Sequence, residues 1–482
     1  MIDSAYYRDL VRPLVQGRKI VLAVGVLTGS NGRLKTLRDL GAQQPPFLLA
    51  ETMGTGAIPS KEEALWGVVG RPASSIMDGI RSYEAGLLNP PAEVLEALDQ
   101  FDPRREALVL AGNTVEADVI AGRRRYGPPE RAWRALEDKM VVDLLWDVAE
   151  VPRAPSRILW VRHSAVSPET VRQLDLACQE LDWGSGTAWV GDNREGWHGG
   201  AEYFRRVQTP ESFAEALEFF REHCDRVRVM PFLEGVACSI HGMVFPETVI
   251  ALRPMEMIVL RRPGQARLQY AGMASFWDPA PEDREEMRSI ARRVGLTLRR
   301  QVGYRGAFTI DGVMTADGFR PTELNARTGA GLGLLARSLP DLPLDLIEMA
   351  VRAGEPLDFR PADLERIIIE SADARRGGGV WSILRRPIQD SAQHFLVEEN
   401  GAYRFAREGE IPDASVSLGP SVAGGFVSFL LNPDRTRPGP SAAPRVASAY
   451  RFFNEVFDAD FGPLEAPRDV RRERLASRSG KD

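Results

Sequence analysis

Lysine is nearly absent. The 482-residue chain carries 61 lysines and arginines together, and only Lys19, Lys35, Lys61, Lys139 and Lys481 are lysine. Codon usage in a GC-rich genome explains such a bias without any functional demand, yet it makes each internal lysine conspicuous. A positive excess is missing too. The net charge is −6 and the isoelectric point about 5.7, so there is no electrostatic ground for expecting nucleic acid as a partner. Cysteine is scarce: Cys178, Cys224 and Cys238 lie far apart with no CxxC pair. That argues against a disulfide framework or a thiolate zinc site and fits a reducing compartment, with apolar packing as their ordinary role. No apolar run approaches the roughly 20 residues that span a bilayer. "MIDSAYYRDLVRP" lacks the basic and apolar regions of a signal peptide. A cytoplasmic protein without membrane contact is expected.

What is present is ordinary globular material. Hydrophobic residues make up 44% and charged residues 27%, and the length suggests about three domains. "RKIVLAVGV", "PFLLAET" and "REALVLAGN" read as buried strands separated by helical segments, which predicts a parallel α/β sheet. Glycine loops ("TGSNG", "MGTGAIP") follow the strands, where such sheets bind ligands. Neither loop matches GxGxxG or a P-loop. From Pro129 the spacing of Trp133, Leu136, Met140, Leu144 and Val148 predicts a helix ending at "VPRAP". A small α/β segment follows, then a run of strands from "RVRVMPFLEG". A long amphipathic helix, "PEDREEMRSIARRVGLTLRRQVG", comes next. After about Arg360 the pattern turns to short strands ("ERIIIES", "GGVWSIL", "HFLVEENGAYRF"), a helix "VASAYRFFNEVF" and a frayed tail.

The chemistry concentrates in "GAFTIDGVMTADGFRPTELNARTGAGLGLL", Gly306 to Leu335. "AFTIDGVM" and "FRPTELNAR" read as a hairpin around the turn "ADG". Residues two apart share a face, so Glu323 and Asn325 lie together, with Arg327 beside them and Asp311 able to meet them from the partner strand. Two carboxylates and an amide oxygen suit Mg2+, which takes one or two carboxylates plus substrate phosphates. Arginine suits a phosphate or carboxylate fork. Taken alone, a solvated hairpin with an acidic face is an equal alternative.

The order of features from about Lys139 to Pro356 resembles the ATP-grasp superfamily of carboxylate–amine ligases. "EDK" on a helix precedes a small lobe with a glycine-rich loop, then the hinge "VMPFLEG", a sheet, a long helix and D…ExNxR. The resemblance implies five segments. Residues 1–128 form a parallel α/β domain and 129–235 the small lobe. The large lobe with the metal hairpin spans 236–358, a β-rich accessory domain 359–470, and a flexible tail 471–482. It implies that Asp311, Glu323 and Asn325 hold one or two Mg2+, with Mn2+ able to substitute. Arg327 would contact phosphate or a forming acyl-phosphate. Lys139 would reach the ATP phosphates. Pro231, Phe232 and Leu233 would meet the adenine through their backbone, and Glu234 the adenine or ribose. Gly199 and Gly200 would belong to a flap over the phosphates.

Arg253 and Glu256 would line the active-site sheet or make a cross-strand ion pair, and Arg305 sits beside the hairpin as a further candidate. The family's second lysine, before the glycine loop, is missing; Arg194 and Arg162 are the cations available to replace it. The activity implied is ADP-forming ligation of a small carboxylate to an amine, for instance an amino acid. Biotin-carboxylase-like carboxylation, nucleotide binding without turnover, and a different α/β binding protein stay open beside it. The C-terminal region and "RFFNEVF" are available for a homodimer interface or a lid.

Overall fold

A computed structural model of the chain describes residues 3–54, 56–73, 76–112, 115–161, 167–196, 198–384, 386–421 and 424–479. Arg162 lies outside them. Among the described residues no helix is long and apolar enough to cross a membrane.

The first unit is a four-stranded parallel sheet in the order Leu65–Val68, Phe47–Thr52, Ile20–Val26, Leu108–Leu110. Alternate residues serve two cores. Val21, Leu49 and Val109 pack with Tyr83, Leu87 and Leu98 on one face. Leu22, Leu48 and Leu110 pack with Val11 and Leu34 on the other. Burial on both faces is why these strands read as continuous apolar runs.

Next comes a four-stranded antiparallel sheet, ordered Arg157–Trp160, Arg226–Pro231, Thr187–Gly191, Phe204–Val207. Two capped helices, Pro168–Leu181 and Pro210–His223, flank it. The helix expected from Pro129 onward is interrupted. Arg131–Arg134 is helical, Ala135–Glu137 forms a single 3-10 turn, and helix resumes at Val142–Val148. Asp138 breaks it: its backbone is extended (φ −66, ψ 118), and its carboxylate accepts the Met140 N–H at 3.0 Å. Aspartate competes with the helix in this way through its short acceptor.

The third unit is one antiparallel sheet of eleven strands. The hairpin Gly306–Thr315 and Gly318–Asn325 forms one edge, followed by Val236–Val244, Met255–Arg261 and Leu268–Ala274. Gly378–Leu384, Gly424–Leu431, Ala414–Ser421, Ala392–Glu399 and Ala402–Phe405 continue it without a gap, so the C-terminal β-rich region extends the central sheet. The helix Pro281–Val302 packs on one face and ends at Gly303 in a left-handed turn (φ 62).

Two expectations are corrected here. "ERIIIES" lies within the helix Pro361–Ala374, whose Leu364, Ile368 and Ala372 are buried at four-residue spacing; three consecutive isoleucines imitate a strand when read locally. The tail is helical over Val470–Ser479. Arg471 is ion-paired with Asp283 at 2.8 Å, and Arg474 with Asp317.

Glu256 ties the extended sheet to its covering helix. Its buried carboxylate accepts the N–H of Ala442 at 2.7 Å and of Ala443 at 3.2 Å, plus the Ser441 hydroxyl. Those groups open the helix Ala443–Phe457, where negative charge meets the positive end of the dipole. Arg253 is not its partner. Burial pushes the Glu256 carboxyl from 4.5 up to about 7. The native state therefore holds this proton more tightly than the unfolded chain does, and stability falls as pH rises between those values. In urea titrations across that window, Glu256→Gln is expected to flatten the decline while keeping an acceptor for the helix. A slope unchanged by the substitution assigns the decline to other groups.

Candidate active site

Three neighbouring strands build the polar floor of a cleft of about 620 Å3. Ser239 stands opposite Asp311, and Asp311 opposite Glu323. One pair along, His241 stands opposite Thr309, and Thr309 opposite Asn325. A hairpin continued evenly from the Thr315–Gly318 pair would set Asp311 against Thr322 and turn Glu323 to the other face. A bulge between Asp311 and Gly312, at Pro321–Thr322, shifts the register by one and brings the two acids together. Proline lacks the ladder N–H and is tolerated at such a bulge.

The side chains interlock. Asn325 Nδ2 donates to Asp311 Oδ2 at 2.8 Å, and Arg327 Nη2 donates to Asn325 Oδ1 at 2.9 Å. Ser239 hydrogen-bonds Asp311 Oδ1. Lys139 Nζ lies 3.2 Å from Glu323 Oε1, and Arg327 Nε lies 3.2 Å from Glu137 Oε2. The helix break at Asp138 lets both Glu137 and Lys139 turn toward the hairpin; in an unbroken helix, residues two apart point to different sides. Burial, and next the Glu323 charge, push the Asp311 carboxyl up to about 7. Two carboxylates held this close resist joint ionisation.

That donor set fits a hard dication. Among the described residues no group of three or more His, Cys, Asp or Glu is placed to hold a metal. Two carboxylates with an amide oxygen nonetheless meet the protein's share for Mg2+ when phosphates complete the shell, and a cation there relieves the repulsion that raises Asp311.

The opposite wall is apolar. Ala188, Met230, Phe232 and Leu233 form a cluster that lines the cleft with Val190 and Leu268. The Phe232 N–H is committed to the Gly186 carbonyl at 3.0 Å. Gly235 turns the chain at φ 143, where a Cβ would lie 2.0 Å from the Met314 carbonyl oxygen, so the hinge requires glycine. Gly199 and Gly200 reach the cleft from the loop. His198 stacks on Tyr203 with ring centroids 4.0 Å apart, and burial lowers its pKa to about 3, leaving it neutral.

Lys139, Gly199, Gly200, Phe232, Leu233, Asp311, Glu323, Asn325 and Arg327 thus converge on one cleft. Five other candidates stand outside its lining. Arg194 is spent on the C-terminal end of the helix Pro210–His223, bonding the Glu222 carbonyl and, at 3.3 Å, the Cys224 carbonyl; helix carbonyls attract a cation. Arg253 is buried against Asp278 and Asp373. Arg305 packs against Gly354. Pro231 closes its strand opposite Thr187, and Glu234 is ion-paired with Arg261 and Arg206.

Sequence reasoning missed Arg228. It is buried, lines the cleft, pairs across the sheet with Val190 and is held by Asp143 at 2.6 Å. An arginine inside the otherwise apolar "RVRVMP" was the available signal. It also missed Glu137, Ser239 and His241, whose partners come from distant strands and leave no local pattern.

No protein-family model matches the sequence, and no curated protein matches it either. Solved structures do. Biotin carboxylase from Campylobacter jejuni, in a beta-gamma-ATP complex, is 13% identical with a TM-score of 0.53, over 95% of this chain and 94% of that one. The chain has the ATP-grasp fold. A second ATP-grasp structure is the biotin carboxylase domain of Hydrogenobacter thermophilus 2-oxoglutarate carboxylase, solved with MgADP and bicarbonate. It is 14% identical with a TM-score of 0.51, over 94% of this chain and 92% of that one. The cleft lies between the four-stranded antiparallel sheet and the large sheet with its hairpin.

Proposed function

We propose that the protein is an ATP-dependent ligase that activates a carboxylate as an acyl-phosphate for attack by an amine. The observation that carries this reading is the side-by-side placement of Asp311 and Glu323, with Lys139 and Arg327 beside them, in a cleft whose other wall is apolar. Asp311, Glu323 and Asn325 would hold Mg2+, which when bound neutralises phosphate charge and orients the transferred group. The apolar wall at Met230, Phe232 and Leu233 takes the adenine ring. Gly199 and Gly200 let backbone come close to the phosphates. Lys139 supplies a compact charge to the phosphates, and Arg327, steadied by Glu137 and Asn325, a fixed fork for the γ-phosphoryl or the acid.

A carboxylate oxygen attacks the γ-phosphorus, the bond to the β-phosphate oxygen breaks, and ADP leaves. The amine nitrogen then attacks the acyl carbon. Phosphate departs, and the amine gives up a proton.

Hydroxylamine tests this directly, because it traps acyl-phosphates as coloured hydroxamates. With Mg·ATP and a panel of carboxylic acids, equimolar ADP and hydroxamate are expected for at least one acid. ATP turnover that depends on bicarbonate alone, without hydroxamate, would point to carboxylation. Nucleotide binding without ADP from any acid would make the protein a binding module.

A further inference from the structure

We propose that the acid substrate has an apolar body about 10 Å long and lies in a second groove, on the open face of the extended sheet. This rests on the reading of the cleft as an ATP site. The groove has a volume of about 1420 Å3 and runs into the cleft, sharing Gly200, Ala201, Tyr270, Met273 and Ala330 with it. Its floor is the strands Leu268–Ala274, Gly378–Leu384 and Gly424–Leu431. The other face of these strands is covered: Leu384, Val427 and Phe429 pack in one core with Val446, Tyr450 and Phe453. On the groove side Trp381 remains 46% and Leu430 49% exposed. Large apolar groups lining a concavity mark a place where an apolar ligand fits.

Two glycines, Gly272 and Gly379, belong to the floor where it meets the cleft. Gly272 stands opposite Val380 and Met273 opposite Gly379, and a Cβ on Gly272 would lie 2.1 Å from the Gly379 carbonyl oxygen. Gly379 adds no side chain of its own beside Met273. Neighbouring strands are about 4.8 Å apart, so the distance across from the Tyr270 strand to the Leu430 strand is about 10 Å. That sets the length of the body.

Charge sets the class. Arg205, Arg262, Arg267, Arg337 and Arg386 line the groove against Glu202, Asp458 and Asp460, and Glu215 lies 3.7 Å from Arg205 and 3.8 Å from Arg267, a balance that still leaves one cation in excess and favours an anionic ligand. Ala330 opens the helix that follows Arg327 and touches both spaces. A carboxylate there reaches the metal end of the cleft while its body lies over Met273, Gly379 and Trp381. Arg205 and Phe219 wall one side and Asp458 to Phe461 another, which suits a small molecule better than a flat protein surface.

Isothermal titration of 4-phenylbutyrate, with acetate as control, tests this. The titrations use the full chain both free and saturated with a non-hydrolysable Mg·ATP analogue. Phenylbutyrate is expected to bind at least tenfold more tightly than acetate. Trp381→Ala and, separately, Leu430→Ala are expected to remove most of that advantage and leave the affinity for the analogue unchanged. Equal binding of the two acids, or an advantage that survives both substitutions, overturns the groove. If the analogue fails to bind while phenylbutyrate binds the free chain in a Trp381-dependent way, the groove stands and the ATP reading falls.

Discussion

Glu323→Ala is expected to abolish Mg·ATP binding in isothermal titration, with an affinity loss of at least about 100-fold, roughly 2.7 kcal/mol. The residue has three roles at one position. It is one of the two carboxylates proposed to face the ion, the counter-charge 3.2 Å from Lys139, and the neighbour that helps hold Asp311 partly protonated. Its removal halves the carboxylate charge offered to Mg2+, an ion that draws one or two carboxylates from the protein and the rest of its shell from phosphates and water. The fold is not expected to suffer. Asp311 loses a repulsive neighbour, so its carboxyl falls back toward the ordinary range and ionises more easily, and Glu323 itself is only partly buried. Thermal unfolding should therefore stay near wild type while binding vanishes. Binding that persists in the variant, or that ignores the removal of magnesium by chelation, would reduce the hairpin to a solvated acidic ladder.

Arg253→Ala should do the opposite. Arg253 is fully buried, donates to the Ser275 carbonyl at 2.6 Å and is ion-paired with Asp278 and with Asp373 at 3.2 Å. Arg284 and Arg376 also meet Asp373, and Arg376 meets Asp278. The network ties the segment just before the strand Met255–Arg261 to the helix Pro361–Ala374. Deleting the one member with no exposed surface leaves carboxylates short of charge and an unfilled space. Breaking a buried pair from one side costs about 3–5 kcal/mol, to be read from the urea midpoint. The folded fraction should bind Mg·ATP as wild type does. Unchanged stability with lost nucleotide binding would return Arg253 to the catalytic role that its place beside the sheet first suggested.

The contrast between these residues shows how far local pattern reaches. Glu323, Asn325 and Arg327 were legible as one face because strand periodicity places alternate side chains together, and Asp311 as a nearby candidate because the hairpin holds it within the same short span. The parallel sheet was legible because its strands are apolar throughout. Lys139 stood out through its place in the order of features, ahead of the glycine loop and the hairpin. Arg194, Arg253 and Arg305 looked equivalent to Arg327 in sequence. Their fates depend on which carbonyls or carboxylates lie across from them, and those belong to elements tens of residues away. Arg228 was passed over because it stands on a strand that reads as core, and its partner Asp143 is 85 residues distant.

By itself the sequence determined the metal-type donor set, the strand and helix types around it, and the absence of any charge or cysteine pattern for other chemistries. Those are local properties, set by side-chain chemistry and by the periods of helix and strand. Tertiary structure alone decided three things. The bulge at Asp311–Gly312 turned two acids onto one face. The break at Asp138 aimed Lys139 and Glu137 at the hairpin. Pairing of Gly272 with Val380 made the C-terminal strands a continuation of the central sheet. Each depends on a register or a packing contact between distant segments, and a register shift of one residue reverses which face a side chain occupies.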